Sequence, residues 1–397
     1  MTEKIKIVVV GAGVSGLTTA LLLSQNSDYK ITVIAKHQPG DLDIEYASPW
    51  AGANYIPVAL AGSHEEVYER NTWDWLYDLA RYTPESGVHL VGTFEGKDRP
   101  GCHEYFPPRA KDSEDSPDLR QWRDEIEKPN PWFENVVPNW RQLSESECPA
   151  GYPRGVSFTS ICLNPQIYLP FLQSRCIKAG VKFRRLDISH ITQAAQYFLH
   201  NQRDTMAPNI KNDTADLIVN CTGLSSHKLG GVKDEKLYPV RGQIVLIQEE
   251  VDYMISCADE DQDTAAEGEF CYAMSRGAGG GSILGGTYQI GNWDGKVNDS
   301  TTERILRRAV KCCPALIAGS QKTGIEDWKK LTVVRAGVGL RPARKDGVRI
   351  ESELITGKAW KGWVVHNYGH GGYGYQSSWG CARQVAKLVR DCVSRAL

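Results

Sequence analysis

The feature that most constrains this chain lies at its start: the apolar run Ile7-Val8-Val9-Val10, the turn Gly11-Ala12-Gly13-Val14-Ser15-Gly16, then a largely apolar stretch from Leu17 to Leu23. A buried strand, a Gly-x-Gly-x-x-Gly turn and a helix together form a seat for a dinucleotide pyrophosphate. The first glycine permits the tight turn, the second lets backbone approach the phosphates, and the third lets the helix pack on the strand. The helix start adds N–H donors and a positive dipole end. With Ile31 to Ala35 as a second strand, residues 1–35 are expected to form a β-α-β unit. One element is missing. Where an Asp or Glu closing the second strand would bind ribose hydroxyls, the chain runs Val33-Ile34-Ala35-Lys36, which weighs against a simple NAD site.

A second glycine-rich segment, His366-Asn367-Tyr368-Gly369-His370-Gly371-Gly372-Tyr373-Gly374-Tyr375-Gln376, reads as backbone that must approach something closely. Both ends of the chain are expected to meet on one cofactor.

Composition narrows the partners. The chain has 397 residues, 41% of them hydrophobic, which suits two or three domains with sizeable cores. A net charge of −2 without blocks of like charge gives no field to attract nucleic acid or an anionic membrane, so a small-molecule partner is expected. Met1 to Lys6 are mostly polar, so no signal peptide is expected, and no apolar run approaches the roughly 20 residues of a membrane span. The eleven cysteines are scattered, with no Cys-x-x-Cys and no histidine spacing suited to zinc. They read as buried thiols in an intracellular, reducing setting, with no metal expected. The Asn-x-Ser/Thr matches at Asn212, Asn220 and Asn298 then read as coincidences.

Along the chain, Ser63-His64-Glu65-Glu66 fits a capping box opening a helix that stops before Pro84. Gly96 to Pro153, rich in Pro, Trp and acidic residues, reads as a loop-dominated insertion. Asn164-Pro165 opens a helix that Gly180 closes, and Val181 to Arg185 and Asp216 to Thr222 read as strands. From Arg241 to Tyr288 the pattern becomes an antiparallel sheet, with strands at Gly242 to Gln248, Phe270 to Met274 and Ser282 to Tyr288. Helices return at Thr301 to Cys312 and from Ser377 onward.

Three side chains stand out chemically. Arg341, in Val338-Gly339-Leu340-Arg341-Pro342-Ala343-Arg344, is suited to gripping a carboxylate with two parallel N–H···O bonds. Tyr272 and Tyr288 fall on neighbouring strands of the presumed sheet, where buried phenols need partners and a substrate carboxylate is one such partner. Taken singly, each reads as a surface ion pair or a core tyrosine.

Taken together with Ala47-Ser48-Pro49-Trp50-Ala51-Gly52-Ala53-Asn54, Pro239-Val240-Arg241-Gly242-Gln243, Gly285-Gly286-Thr287-Tyr288, Gly339-Leu340-Arg341-Pro342 and Gly374-Tyr375-Gln376, the chain resembles the D-amino acid oxidases, especially fungal ones, over nearly its whole length. The resemblance implies a mixed α/β fold. A Rossmann-type FAD domain (1–56, 155–238 and 331–397) would be interleaved with a substrate domain on an antiparallel sheet (57–154 and 239–330). It implies FAD as cofactor, with D-amino acid and oxygen as substrates. The reaction would be hydride transfer from Cα to flavin N5, giving an imino acid that hydrolyses to keto acid and ammonia, with hydrogen peroxide as co-product.

Carried over by position, Arg341, Tyr272 and Tyr288 would bind and orient the substrate. The flavin contacts would be Gly11, Ala12, Gly13, Val14, Ser15, Gly16, Lys36, Ser48, Gly52, Ala53, Asn54, Asp187, Thr222, Arg341, Gly371, Gly372, Gly374, Tyr375 and Gln376. Family members are often dimers, so a homodimer is expected. Arg395-Ala396-Leu397 is not a Ser-Lys-Leu address, so a peroxisomal location rests on family analogy, with the cytoplasm as the alternative. His370 reads as an imidazole packed at a turn. The nearest rival is a D-aspartate oxidase, which tends to carry arginine where Tyr288 stands; Arg276 lies close enough in sequence to act from the side. A nicotinamide-dependent dehydrogenase and a non-catalytic flavoprotein are the more distant alternatives.

Overall fold

The computed structural model describes residues 4–92, 101–106, 131–148, 151–199, 214–251, 253–257, 268–317, 324, 326–357 and 360–396. Asn212, Leu397 and much of the expected loop-rich stretch lie outside the described residues. In chain order the strands are β1 Ile5–Val10, β2 Tyr29–Ala35, β3 Val88–Val91, β4 Cys102–Phe106, β5 Arg141–Leu143, β6 Arg154–Phe158, β7 Ser160–Leu163, β8 Lys182–Arg185 and β9 Leu217–Asn220. There follow β10 Leu237–Ile247, β11 Met254–Cys257, β12 Glu269–Ser275, β13 Ser282–Thr287, β14 Gln289–Ile290, β15 Val333–Arg344, β16 Ser352–Thr356 and β17 Lys361–His366. The α-helices are α1 Val14–Leu23, α2 His64–Tyr82, α3 Pro165–Lys178, α4 Asp299–Cys312 and α5 Ser378–Ala396.

The chain divides into two compact units, the first from residues 1–49, 166–239 and 341–397, the second from 50–165 and 240–340. In the first, six strands run in the order β16-β17-β9-β1-β2-β8, all neighbours parallel except β16 with β17. Ile7, Val8, Val9, Val33, Ile34, Ile218 and Val219 are fully buried, as befits parallel strands covered on both faces. Helices α1 and α5 pack against each other. The register aligns the strand ends: Val10 faces Ile34 and Asn220, and Asn220 faces His366. The turns after β1, β2, β9 and β17 therefore leave from one edge, the carboxyl edge, where ligands bind in open α/β sheets.

The second unit holds a sheet in the order β14-β10-β13-β12-β11-β4-β6-β5, antiparallel except where β11 meets β4, and β15 pairs with β10. One sheet face is covered by α4. Ile305, Leu306, Ala309 and Val310 of that helix join Val245, Ala273 and Leu284 in one core cluster. Glu269 of β12 anchors the helix through Arg304 and Arg308, the latter at 2.6 Å. Burial alone would push the Glu269 carboxyl up, yet these two guanidinium groups hold it below its usual range. Helix α2 begins as expected, with Ser63 Oγ accepting from Glu66 N at 3.1 Å. The return bond of the capping box differs: Glu66 accepts from Gly62 N, not Ser63 N. A larger difference lies at Cys102–Phe106, expected within a loop, which forms an interior strand between β11 and β6. Its alternating burial is the period of a strand, though too short to be read amid prolines.

Among the described residues no helix is long and apolar enough to cross a membrane.

Candidate active site

In the first unit, the glycine turn behaves as its spacing predicts. Gly11 has φ +113°, and a Cβ there would lie 2.3 Å from the Cys221 carbonyl oxygen. At Gly16 a Cβ would lie 2.0 Å from the Gly11 oxygen, so only glycine lets α1 sit this close to its own turn. Gly13 caps α1 in extended geometry without a side-chain bond, and no acidic residue occupies the first turn. A helix start left to backbone donors and the dipole is what an anionic pyrophosphate needs, so the turn fits FAD. One donor is already engaged: Val14 N–H donates to Ser48 Oγ at 3.1 Å.

Ser48 is the knot of this region. A Cβ on Gly13 would stand 2.9 Å from Ser48 Oγ, and the Ser48 carbonyl accepts from Tyr375 Oη at 2.9 Å. Tyr46 Oη donates to the Ala12 carbonyl at 2.7 Å, and burial raises its phenol well above the ordinary range. The fingerprint, Ser48 and the final glycine segment are thus one connected structure. Gly374 lies beside Val14 and His370, and Gln376 is buried.

Lys36 follows β2 at the same edge and pairs with Glu45, with Asp187 3.9 Å away. Thr222 follows β9 and donates to Asn220 Oδ1 at 2.8 Å. His370 Nε2 lies 3.1 Å from Asn367 Oδ1, and burial lowers its imidazole to about 4, so it is neutral at physiological pH.

Arg341 stands on β15 beside the glycine turn. Gly371 N donates to the Pro342 carbonyl at 2.9 Å, and a Cβ on Gly372 would lie 3.4 Å from Arg341 Cδ. Gly372 thus lies beside the arginine stem.

In the second unit, Tyr272 faces Gly285 across β12 and β13. Its ring occupies the space of the missing side chain: a Cβ on Gly285 would fall 1.9 Å from Tyr272 Cζ. Tyr288 lies just past β13, with its N–H on the Gly268 carbonyl at 2.7 Å. Tyr272 and Tyr288 are 7% and 6% exposed. The loop at Gly52, Ala53 and Asn54 is fastened to β7 by paired bonds between Ala53 and Leu163 (3.1 and 2.9 Å). A Cβ on Gly52 would strike Met274 Sδ at 2.4 Å. Arg276 is 1% exposed and donates to the Gly52 and Ala51 carbonyls, each at 3.3 Å.

No sequence pattern marks Glu104. It faces Ser256, which faces Tyr272, so Glu104 shares the sheet face of Tyr272 two strand spacings away, roughly 10 Å. It is 1% exposed, and burial pushes its carboxyl up to about 8. The unfolded chain then loses this proton from about pH 4.3, while the folded protein keeps it to about 8. Stability must fall as pH rises through that window and level off above it. Glu104→Gln should remove the slope and raise stability at pH 8 by on the order of 5 kcal/mol. Parallel denaturation curves for both proteins from pH 5 to 9 would sink this assignment.

A parallel sheet with a glycine phosphate turn, in one chain with an antiparallel sheet carrying buried tyrosines, defines a flavin-dependent oxidoreductase. Residues 6–388 match the family described as FAD dependent oxidoreductase. The chain is 43% identical over 390 residues to a D-amino-acid oxidase of Fusarium vanettenii, covering 98% of each chain. It is 31% identical to a D-aspartate oxidase of Cryptococcus neoformans var. grubii, covering 96% of each. Its fold matches glycine oxidase from Geobacillus kaustophilus with a TM-score of 0.68 at 16% identity, over 99% of this chain and 95% of that one. This chain belongs to the D-amino-acid oxidase family of FAD-dependent oxidoreductases, and its cofactor is FAD.

Proposed function

We propose that the protein oxidises neutral D-amino acids to imino acids, which hydrolyse to keto acids and ammonia, while oxygen is reduced to hydrogen peroxide. Bound FAD supplies the electron acceptor. Arg341 takes the substrate α-carboxylate through its two parallel N–H donors, and Tyr272 and Tyr288 donate phenolic O–H groups to the same carboxylate. Holding that group fixes the direction of the Cα–H bond, so orientation carries the acceleration and no dedicated base is required. Gly11 to Gly16, Lys36, Ser48, Gly52 to Asn54, Asp187, Thr222, Gly371, Gly372, Gly374, Tyr375 and Gln376 are the proposed flavin contacts.

The observation that carries the neutral preference is Tyr288, a buried phenol at the position where the D-aspartate oxidases tend to place arginine. The engagement of Arg276 with backbone carbonyls supports the same reading. Oxygen consumption should be faster with D-alanine, D-methionine or D-valine than with D-aspartate, and L-amino acids should be inert. A clear win for D-aspartate overturns the preference. The proposed partners are small molecules alone, in a homodimer, with the peroxisome as the cell address.

A further inference from the structure

The sequence scatters its cysteines, but the fold gathers three. Cys257 ends β11, Cys271 lies directly opposite it on β12, and Cys312 is the last residue of α4. Their Sγ atoms all lie within 4.8 Å of one another. Nothing in the oxidation proposed above uses them: Tyr272 and Glu104 occupy one face of this sheet, and Cys257 and Cys271 join the core beneath α4 on the other. All eleven cysteines are free thiols.

We propose that Cys257, Cys271 and Cys312 form a three-sulfur site for a soft, thiophilic d10 cation. Three thiolates at about 2.3 Å from an ion stand roughly 4 Å apart in a planar arrangement, so the cluster needs to close by less than an ångström. Two ligands sit on paired strands and the third on a helix end, which fixes the set on rigid elements. Thiolate donors select such cations over magnesium or calcium.

The surroundings agree with this chemistry. Cys312 closes α4, where the unpaired carbonyls and the dipole favour a cation. Its hydrogen bonds with Cys257, Cys271 and Tyr152 hold the Cys312 thiol well below the ordinary range against burial, with Lys311 acting in the same sense. The hydrogen bonds of the trio and burial push the Cys257 and Cys271 thiols well above the ordinary range, so these two give up their protons only as the cation binds. Cys312 is partly buried, while Cys257 and Cys271 are enclosed. Each thiol gives up its proton on binding, so uptake must release protons and weaken in acid.

The test uses the FAD-loaded, reduced full-length protein with Cd²⁺ as probe and Mg²⁺ as the hard-cation control. One Cd²⁺ per chain is expected, with sulfur-to-cadmium charge-transfer absorption that Mg²⁺ does not produce. Cys257→Ala, Cys271→Ala and Cys312→Ala should each weaken uptake at least tenfold, whereas Cys392→Ala in α5 should not. Absorption that survives all three substitutions, or no absorption in the unsubstituted protein, overturns the site. Should the variants misfold, ¹¹³Cd resonance or X-ray absorption on the unsubstituted protein decides: three sulfur neighbours support the site, and one or two refute it.

Discussion

Replacing Arg341 by alanine is expected to lower kcat/KM for D-alanine on the order of 1,000-fold, about 4 kcal/mol, while the protein stays folded and yellow. The arginine is the one cation assigned to the substrate carboxylate, and a charged pair with two parallel bonds contributes both energy and direction. Its stem rests on Gly372, and the neighbouring Pro342 carbonyl accepts from Gly371 N at 2.9 Å. Truncation to alanine leaves that backbone bond in place. Arg341→Lys separates charge from geometry: it keeps the cation but loses the planar fork, and should recover only a small part of the rate. Steady-state kinetics on both variants, with flavin absorbance as the check on loading, makes the comparison. Unchanged kinetics in Arg341→Ala would remove this residue from the site.

The second large effect is expected at Gly13. Valine there should cost at least a hundredfold in FAD affinity, about 2.8 kcal/mol, because its side chain enters the face where backbone must meet the pyrophosphate. A Cβ at this point also meets Ser48 Oγ at 2.9 Å, an atom that accepts from Val14 N, so the substitution disturbs the turn and its support together. Gly16→Ala provides the contrast. Its Cβ would stand 2.0 Å from the Gly11 oxygen, where backbone cannot step aside, so the fold itself should be lost. FAD occupancy and melting temperature, measured on both, separate the two mechanisms. Full occupancy in Gly13→Val would contradict the phosphate role of the turn.

Local chemistry was readable wherever it is written in adjacent residues. The first β-α-β unit, the start of α2 at Ser63, the proline opening of α3 and the antiparallel strands after Arg241 all follow from short patterns. Arg341 is visible in a line of text beside an apolar strand, but taken singly it reads as a surface ion pair, and its proposed role comes from the resemblance. What stayed hidden depends on pairing between distant segments. Cys102–Phe106 is five residues long among prolines, and only its partners β11 and β6 make it a strand. Glu104 acquires meaning from Ser256 and Tyr272, and Ser48 from Val14 and Tyr375. No short pattern shows what Arg276 touches, because its two carbonyl partners lie more than 200 positions away. The cysteine trio has no spacing rule, since two strands and a helix end bring it together.

The order β16-β17-β9-β1-β2-β8 has a bearing on how the protein is made. β1, made before the other strands of this sheet, needs β9 as a neighbour, and β9 needs β17, which ends at His366. Synthesis must therefore pass β17 before this sheet can close, and β1 and β2 wait with apolar faces uncovered. Premature termination anywhere before β17 yields a polypeptide unable to complete the cofactor unit, so nascent chains of this enzyme should lean heavily on chaperones.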